Sequence, residues 1–173
     1  MTSLLAALVL APASGWTSHR ASSANLGQAP ALQPPLKVLW KRSFEAMLDG
    51  SPGIVGSRAI VPVMDGSVVC LNLKNGQTLW RFKSPSAFSA SPLIAGGRVF
   101  IGDEGGEFHA LNLETGKPLW KVATGDKIVS SAQISGGLII FGSYDAHVYA
   151  VKADTGKTVW KAKTKAQVHA TPG

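Results

Sequence analysis

The chain has 173 residues, 45% of them hydrophobic and 16% charged, which is enough apolar content for a buried core and argues against a disordered polypeptide. Seventeen Lys and Arg against ten Asp and Glu leave a net charge of +7, but the cations are scattered without any run of four. With no groove-binding helix and no aromatic-interleaved basic motif beside them, they argue against a nucleic-acid partner.

Leu4 to Ala11 form an apolar run followed by Ala11-Pro12-Ala13, a small-x-small pattern. Residues 1–13 therefore read as a signal-peptide-like segment, although no Lys or Arg precedes the run. The expected location is exported, periplasmic or extracellular. The run is too short to cross a bilayer, so no transmembrane span is expected. No cysteine lies near the cleavage pattern, so no lipid-anchor cysteine is expected. Residues 14–36 turn polar and Pro-rich, with Pro30, Pro34 and Pro35, and read as an extended lead-in segment.

From residue 37 a repeat takes over. Trp40, Trp80, Trp120 and Trp160 stand 40 residues apart, and cutting after each gives ungapped repeats 41–80, 81–120 and 121–160. Residues 161–173 begin another. Five columns are identical in all three repeats: Ser51/Ser91/Ser131, Ile54/Ile94/Ile134, Gly56/Gly96/Gly136, Gly76/Gly116/Gly156 and the closing Trp. A period of this size marks a solenoid, propeller or array, whose units bury their faces against one another.

Strand character decides among these. Arg98-Val99-Phe100-Ile101 and Leu138-Ile139-Ile140-Phe141 are short β-rich runs between glycines, and Phe108-His109-Ala110-Leu111 and Val148-Tyr149-Ala150-Val151 follow them. Asp65-Gly66, Gly105-Gly106 and Asp145-Ala146 mark turns between the runs, and Asn75-Gly76, Thr115-Gly116 and Thr155-Gly156 mark turns after them. No segment holds a helical apolar period. Each repeat thus predicts four antiparallel strands, in the second repeat near 90–95, 98–103, 107–112 and 118–124. The runs are apolar on both faces, so each sheet needs cover on both sides, and radial stacking supplies it. The fold class is all-β: residues 37–173 form an incomplete β-propeller of about three four-stranded blades. Cys70, inside Val68-Val69-Cys70-Leu71, is expected to be a small buried thiol.

The stretch Leu111-Asn112-Leu113-Glu114-Thr115-Gly116-Lys117-Pro118-Leu119-Trp120, its copy ending at Trp160, and Gly97-Arg98-Val99-Phe100-Ile101-Gly102 together resemble the repeats of the pyrroloquinoline-quinone (PQQ) type β-propeller family. Trp16, Arg20 and Gly27 in the lead-in resemble that of exported, BamB-like members. The resemblance implies that each Trp docks on the neighbouring blade, with Cys70, Ala110 and Ala150 as the small column that leaves room for it. Trp80, Trp120 and Trp160 are then expected to be buried at equivalent positions, and Lys41, Arg81, Lys121 and Lys161 to face solvent on the outer strand.

Catalytic chemistry is sparse. His19, His109, His147 and His169 show no ligand spacing, so no metal site is expected. His169 shares a column with Asp49 and Ser89, but these come from different repeats that a ring holds apart, so no catalytic residues are assigned. The rival implied by the resemblance is a fragment of a PQQ-dependent quinoprotein dehydrogenase. No Cys-Cys pair and no carboxylate cluster suited to Ca²⁺ supports it, so no cofactor is expected. The expected function is a non-catalytic scaffold for a protein or peptide partner. Its contact loops are placed at the blade ends, at Phe88, Ser89, Asp126, Lys127, Ile128 and His169.

Overall fold

Tight turns set the architecture. Gly66 and Gly106 sit at φ of 85° and 83°, where a residue with a Cβ is strained, and each lets one strand fold back on the next. In the computed structural model, which describes residues 37–171, twelve strands result. The first blade holds β1 (Gly53–Val55), β2 (Arg58–Val63), β3 (Ser67–Asn72) and β4 (Thr78–Lys83). The second holds β5 (Leu93–Ala95), β6 (Arg98–Gly102), β7 (Glu107–Asn112) and β8 (Pro118–Ala123). The third holds β9 (Gln133–Ser135), β10 (Leu138–Ser143), β11 (His147–Lys152) and β12 (Thr158–Lys163). Each blade is a four-stranded antiparallel meander in chain order, and the three sheets do not close into a ring. The signal-peptide-like segment and the lead-in with Trp16, Arg20 and Gly27 lie outside the described residues.

Both faces of the middle blade are buried, as its doubly apolar strands require. Val99, Ile101 and Leu111 pack with Val68, Cys70 and Trp80 of the first blade. Phe100, Phe108 and Ala110 pack with Ile139, Phe141 and Tyr149 of the third. Phe108 and Phe141 lie parallel, with ring centroids 3.9 Å apart. Cys70 is fully buried as expected, and burial pushes its thiol up to about 11.

The innermost strands start later than the sequence suggests, at Leu93 rather than residue 90. The residues before them turn aside to tie blades together. Ser51 N–H donates to Ser91 Oγ at 2.9 Å, and Ser91 N–H donates to Ser131 Oγ at 3.1 Å. This explains why serine fills that column in all three repeats.

Each indole follows one rule. Trp40, Trp80 and Trp120 lie flat against Gly76, Gly116 and Gly156 of the next blade, where an added Cβ would come within 2.8, 2.5 and 2.6 Å of the ring. Their Nε1–H groups donate to the carbonyls of Leu73, Leu113 and Ala153 at 2.7, 2.9 and 3.2 Å. Cys70, Ala110 and Ala150 are the cross-strand partners of Trp80, Trp120 and Trp160 within the same blade, so the small column receives its own tryptophan. The expectation of equal burial does not hold. Trp80 is 8% exposed, Trp120 is half-buried, and Trp160 is 42% exposed. The seat that covers each indole lies 36 residues further along the chain, and for Trp160 that position falls beyond residue 173.

A second regularity shapes the outer edge. Cys70 pairs with Trp80 but Leu71 with Thr78, so Leu79 is the extra residue of a β-bulge, and the same slip falls at Leu119 and Val159. These three residues are 46%, 47% and 49% exposed.

Blade 3 breaks the turn rule. Ala146 occupies the column of Gly66 and Gly106 and is held at φ 61°, the sole non-glycine at positive φ among the described residues. The left-handed conformation costs an alanine about 1 kcal/mol relative to glycine. Ala146→Gly is therefore expected to stabilise the protein by about 0.5–1 kcal/mol, read as a higher denaturant midpoint. An unchanged or lower midpoint would contradict strain at this turn.

Candidate functional site

The densest group of ionisable side chains sits where the first two blades meet. Asp103 follows β6, Glu107 and His109 lie on β7, and Ser84 follows β4. Asp103 Oδ1 accepts from Gly105 N–H and Glu107 N–H, both at 2.9 Å. Its Oδ2 accepts from Ser84 Oγ at 2.7 Å and stands 2.8 Å from His109 Nε2, a contact made with that nitrogen protonated. Asp103 and His109 are 1% and 4% exposed. Phe82 and Phe88 flank the imidazole at centroid distances of 5.3 and 5.7 Å. At the outer end Lys121 Nζ reaches Glu107 Oε1 at 2.5 Å.

Ligand atoms of Asp103, Glu107 and His109 approach within 4.8 Å of one another, the spacing a cation site needs. The hydrogen bonds decide against one. Both oxygens of Asp103 already take two donors each, and Lys121 sits on Glu107, so the carboxylate at the centre of the cluster has no acceptor position left for an ion. Nor does this donor set suit PQQ and a divalent ion, which need carboxylate and amide oxygens free to coordinate. The next junction shows what the position does. There Ser143 Oγ bonds to Thr124 Oγ1 at 3.1 Å and to the carbonyl of Asp126 at 2.9 Å, in the columns of Asp103 and Ser84. Both junctions use the position to fasten one blade's exit to the next blade's turn.

Asp145 plays a comparable part in the third blade. It accepts from Gly125 N–H at 3.0 Å and from Tyr149 Oη, with His147 beside it. Burial pushes its carboxyl up, but the bonds from Tyr149 and Gly125 and the nearby His147 outweigh that and hold it below the ordinary value. Burial and the Asp145 contact raise the Tyr149 phenol. At Asp103, burial likewise acts upward and is outweighed by the bonds from His109, Ser84 and Glu107 N–H, which leave the carboxyl depressed. A group depressed in the folded state contributes stability above its unfolded pKa, about 3.9 for Asp, and loses it as pH falls through the folded value. Stability is thus expected to fall between about pH 5 and pH 3, and to fall less in Asp103→Asn. Parallel denaturant midpoints for the two proteins across that range would refute the assignment.

The expected contact loops divide. Phe88 and Ile128 are fully buried, which corrects their placement on a partner-facing surface. Ile128 packs on Gly102, where an added Cβ would lie 2.2 Å from its Cγ2. Phe88 covers the first junction, in contact with Phe82 and His109. The signal was available: Leu48, Phe88, Ile128 and Val168 form an apolar column 40 residues apart. Ser89 is half-buried, and its hydroxyl has no partner. Asp126 is exposed. Lys127 and His169 come together on Tyr144, the ammonium 4.6 Å from the ring centroid and the imidazole 4.9 Å from it. Phe88 and Ser89 do not join them. The Asp103 group itself escaped the sequence analysis. Its trace is a break in the repeat, with Asp103 against Val63 and Ser143, and His109 against Val69 and Tyr149.

A cleft of about 420 Å³ opens outward from this group between β4 and β8. Phe82, Leu119 and Trp120 wall it, His109 lies at its base, and Lys83 and Lys121 stand at its rim.

A family profile described as the outer membrane protein assembly factor BamB matches residues 29–172. The chain belongs to the BamB family of PQQ-type propellers. The crystal structure of BamB from Moraxella catarrhalis superposes with a TM-score of 0.67 at 23% identity, over 74% of this chain and 41% of that one. Quinohemoprotein alcohol dehydrogenase from Comamonas testosteroni superposes with a TM-score of 0.78 at 18% identity, over 87% of this chain and 27% of that one. A europium-containing methanol dehydrogenase gives 0.76 at 21% identity, over 87% and 32%. At these identities the likeness establishes the fold that BamB shares with the dehydrogenases. The chain spans about two-fifths of the BamB it matches and about a third or less of those dehydrogenases. No curated protein matches the chain.

Proposed function

We propose that the chain is part of a non-catalytic propeller of the cell envelope, a BamB-like scaffold that holds a protein or peptide partner. The observation that carries this reading is the complete engagement of Asp103: its acceptor positions go to Gly105 N–H, Glu107 N–H and His109 of its own blade and to Ser84 of the preceding one. A general base needs a lone pair aimed at substrate, and a cation site needs several. The surface offers instead what a binding protein needs: exposed aliphatic side chains and cations on a rigid frame. The export-like start at residues 1–13 supports an envelope location, and the BamB profile supports a partner that is a protein.

The test is a titration of the intact protein with PQQ and Ca²⁺, followed by an alcohol- or sugar-dependent dye-reduction assay. Neither stoichiometric binding nor turnover is expected. Micromolar binding accompanied by turnover would overturn the scaffold reading in favour of a quinoprotein dehydrogenase.

A further inference from the structure

Among the described residues, seven large hydrophobic side chains are exposed: Val38, Leu39, Met47, Leu79, Leu119, Val159 and Trp160. All but Met47 lie on the four outer segments, residues 37–42, β4, β8 and β12. The same segments hold eight Lys or Arg and no Asp or Glu. The outer margin of the propeller therefore joins aliphatic surface with an excess of positive charge, of which Asp65 and Glu107 on the neighbouring strands and turns offset a part.

Two causes put the aliphatic residues there. Radially stacked sheets diverge outward, so a wedge opens between successive outer strands. The bulge in each outer strand then exposes its extra residue, Leu79, Leu119 or Val159. Between the second and third blades the wedge is filled by Tyr149, which is 5% exposed and packs in one cluster with Phe108 and Ala110 of the second blade, with Lys161 over its ring at 5.4 Å. Between the first and second blades His109 stands in the column of Tyr149, and its shorter ring is drawn inward to Asp103. The space a tyrosine would occupy becomes the cleft between Phe82, Leu119 and Trp120.

We infer that this cleft is a docking groove for an extended segment of a partner protein, one with an apolar anchor residue flanked by carboxylates. The inference rests on the scaffold reading and gives its partner a chemistry and a place. Phe82, Leu119 and Trp120 offer an apolar slot for the anchor, and the anchor removes Leu119 from water. Lys83 and Lys121, 59% and 62% exposed, stand to either side. Their acidic neighbours Asp65 and Glu107 are more covered, at 37% and 32%, so an approaching chain meets positive charge first.

The probe is the capped peptide Asp-Leu-Glu-Phe-Asp-Gly, followed by fluorescence anisotropy and by NMR of the Trp120 indole N–H in the intact protein. Saturable binding is expected, with a shift of the Trp120 signal. A counterpart with Lys in place of each acid is expected to bind at least about tenfold more weakly. His109→Tyr, which fills the groove as Tyr149 fills its own junction, and Leu119→Asp, at an exposed position that leaves the core intact, are each expected to weaken binding by about tenfold. No binding of the acidic peptide, equal binding of the lysine counterpart, or binding unchanged in both variants would overturn the groove. A shift confined to Lys127, Tyr144 and His169 would also overturn it while leaving the scaffold reading in place. That reading falls to quinone-dependent turnover alone, so the two failures can be told apart.

Discussion

Trp80→Ala is expected to destabilise the protein by about 3–5 kcal/mol. The indole is 8% exposed, lies flat on Gly116 and donates to the Leu113 carbonyl at 2.9 Å. Truncation opens a cavity the size of a bicyclic ring between two β-sheets, which cannot collapse without breaking their ladders, and it strands a carbonyl. A loss below about 1 kcal/mol, measured by chemical denaturation of the intact protein, would mean that the contact with the next blade contributes little. Gly116→Ala approaches the same contact from the other side, since its Cβ would fall 2.5 Å from Trp80 Cε3, and it should move stability in the same direction.

Asp103→Ala is expected to cost a similar amount, about 3–5 kcal/mol, for a different reason. Four donors converge on this carboxylate: Ser84 Oγ, His109 Nε2 and the N–H groups of Gly105 and Glu107. Removing it leaves all four without an acceptor in a buried junction. Asp103→Asn keeps an oxygen for the two backbone groups and should cost about half as much. A loss below about 1 kcal/mol for the alanine variant would show that water replaces the carboxylate and that the junction is not fastened there.

The repeat made most of the fold legible. Strand number, strand order and turn positions follow from Gly66, Gly106 and the Thr-Gly pairs, because a tight turn leaves few residue choices. The tryptophan lattice was visible too, but not the unequal burial along it, since exposure depends on which blade follows and not on the repeat itself. The placement of Phe88 and Ile128 on a contact surface failed because they were judged by their position between strands. Their column, Leu48, Phe88, Ile128 and Val168, is apolar throughout and reports a core position. Asp103 and His109 were hidden because their partnership crosses strands β6 and β7 and draws on Ser84 of the preceding blade, and no linear spacing encodes a contact of that kind. What a single chain does reveal is departure from its own repeat, and the groove with its histidine base lies at one such departure.

The bonds between blades span nearly constant distances along the chain: 33 residues for each indole N–H and 40 for each serine hydroxyl. Among the described residues, neither junction has to wait for a distant part of the chain before it can form. Folding can therefore proceed as a zipper, in which a finished blade serves as the template for the next and the entropy of loop closure is met in equal instalments. Amide hydrogen exchange should then be slowest in β6 and β7, which lie between two strands and two blades, and faster in the outer strand β8, which pairs on one side only.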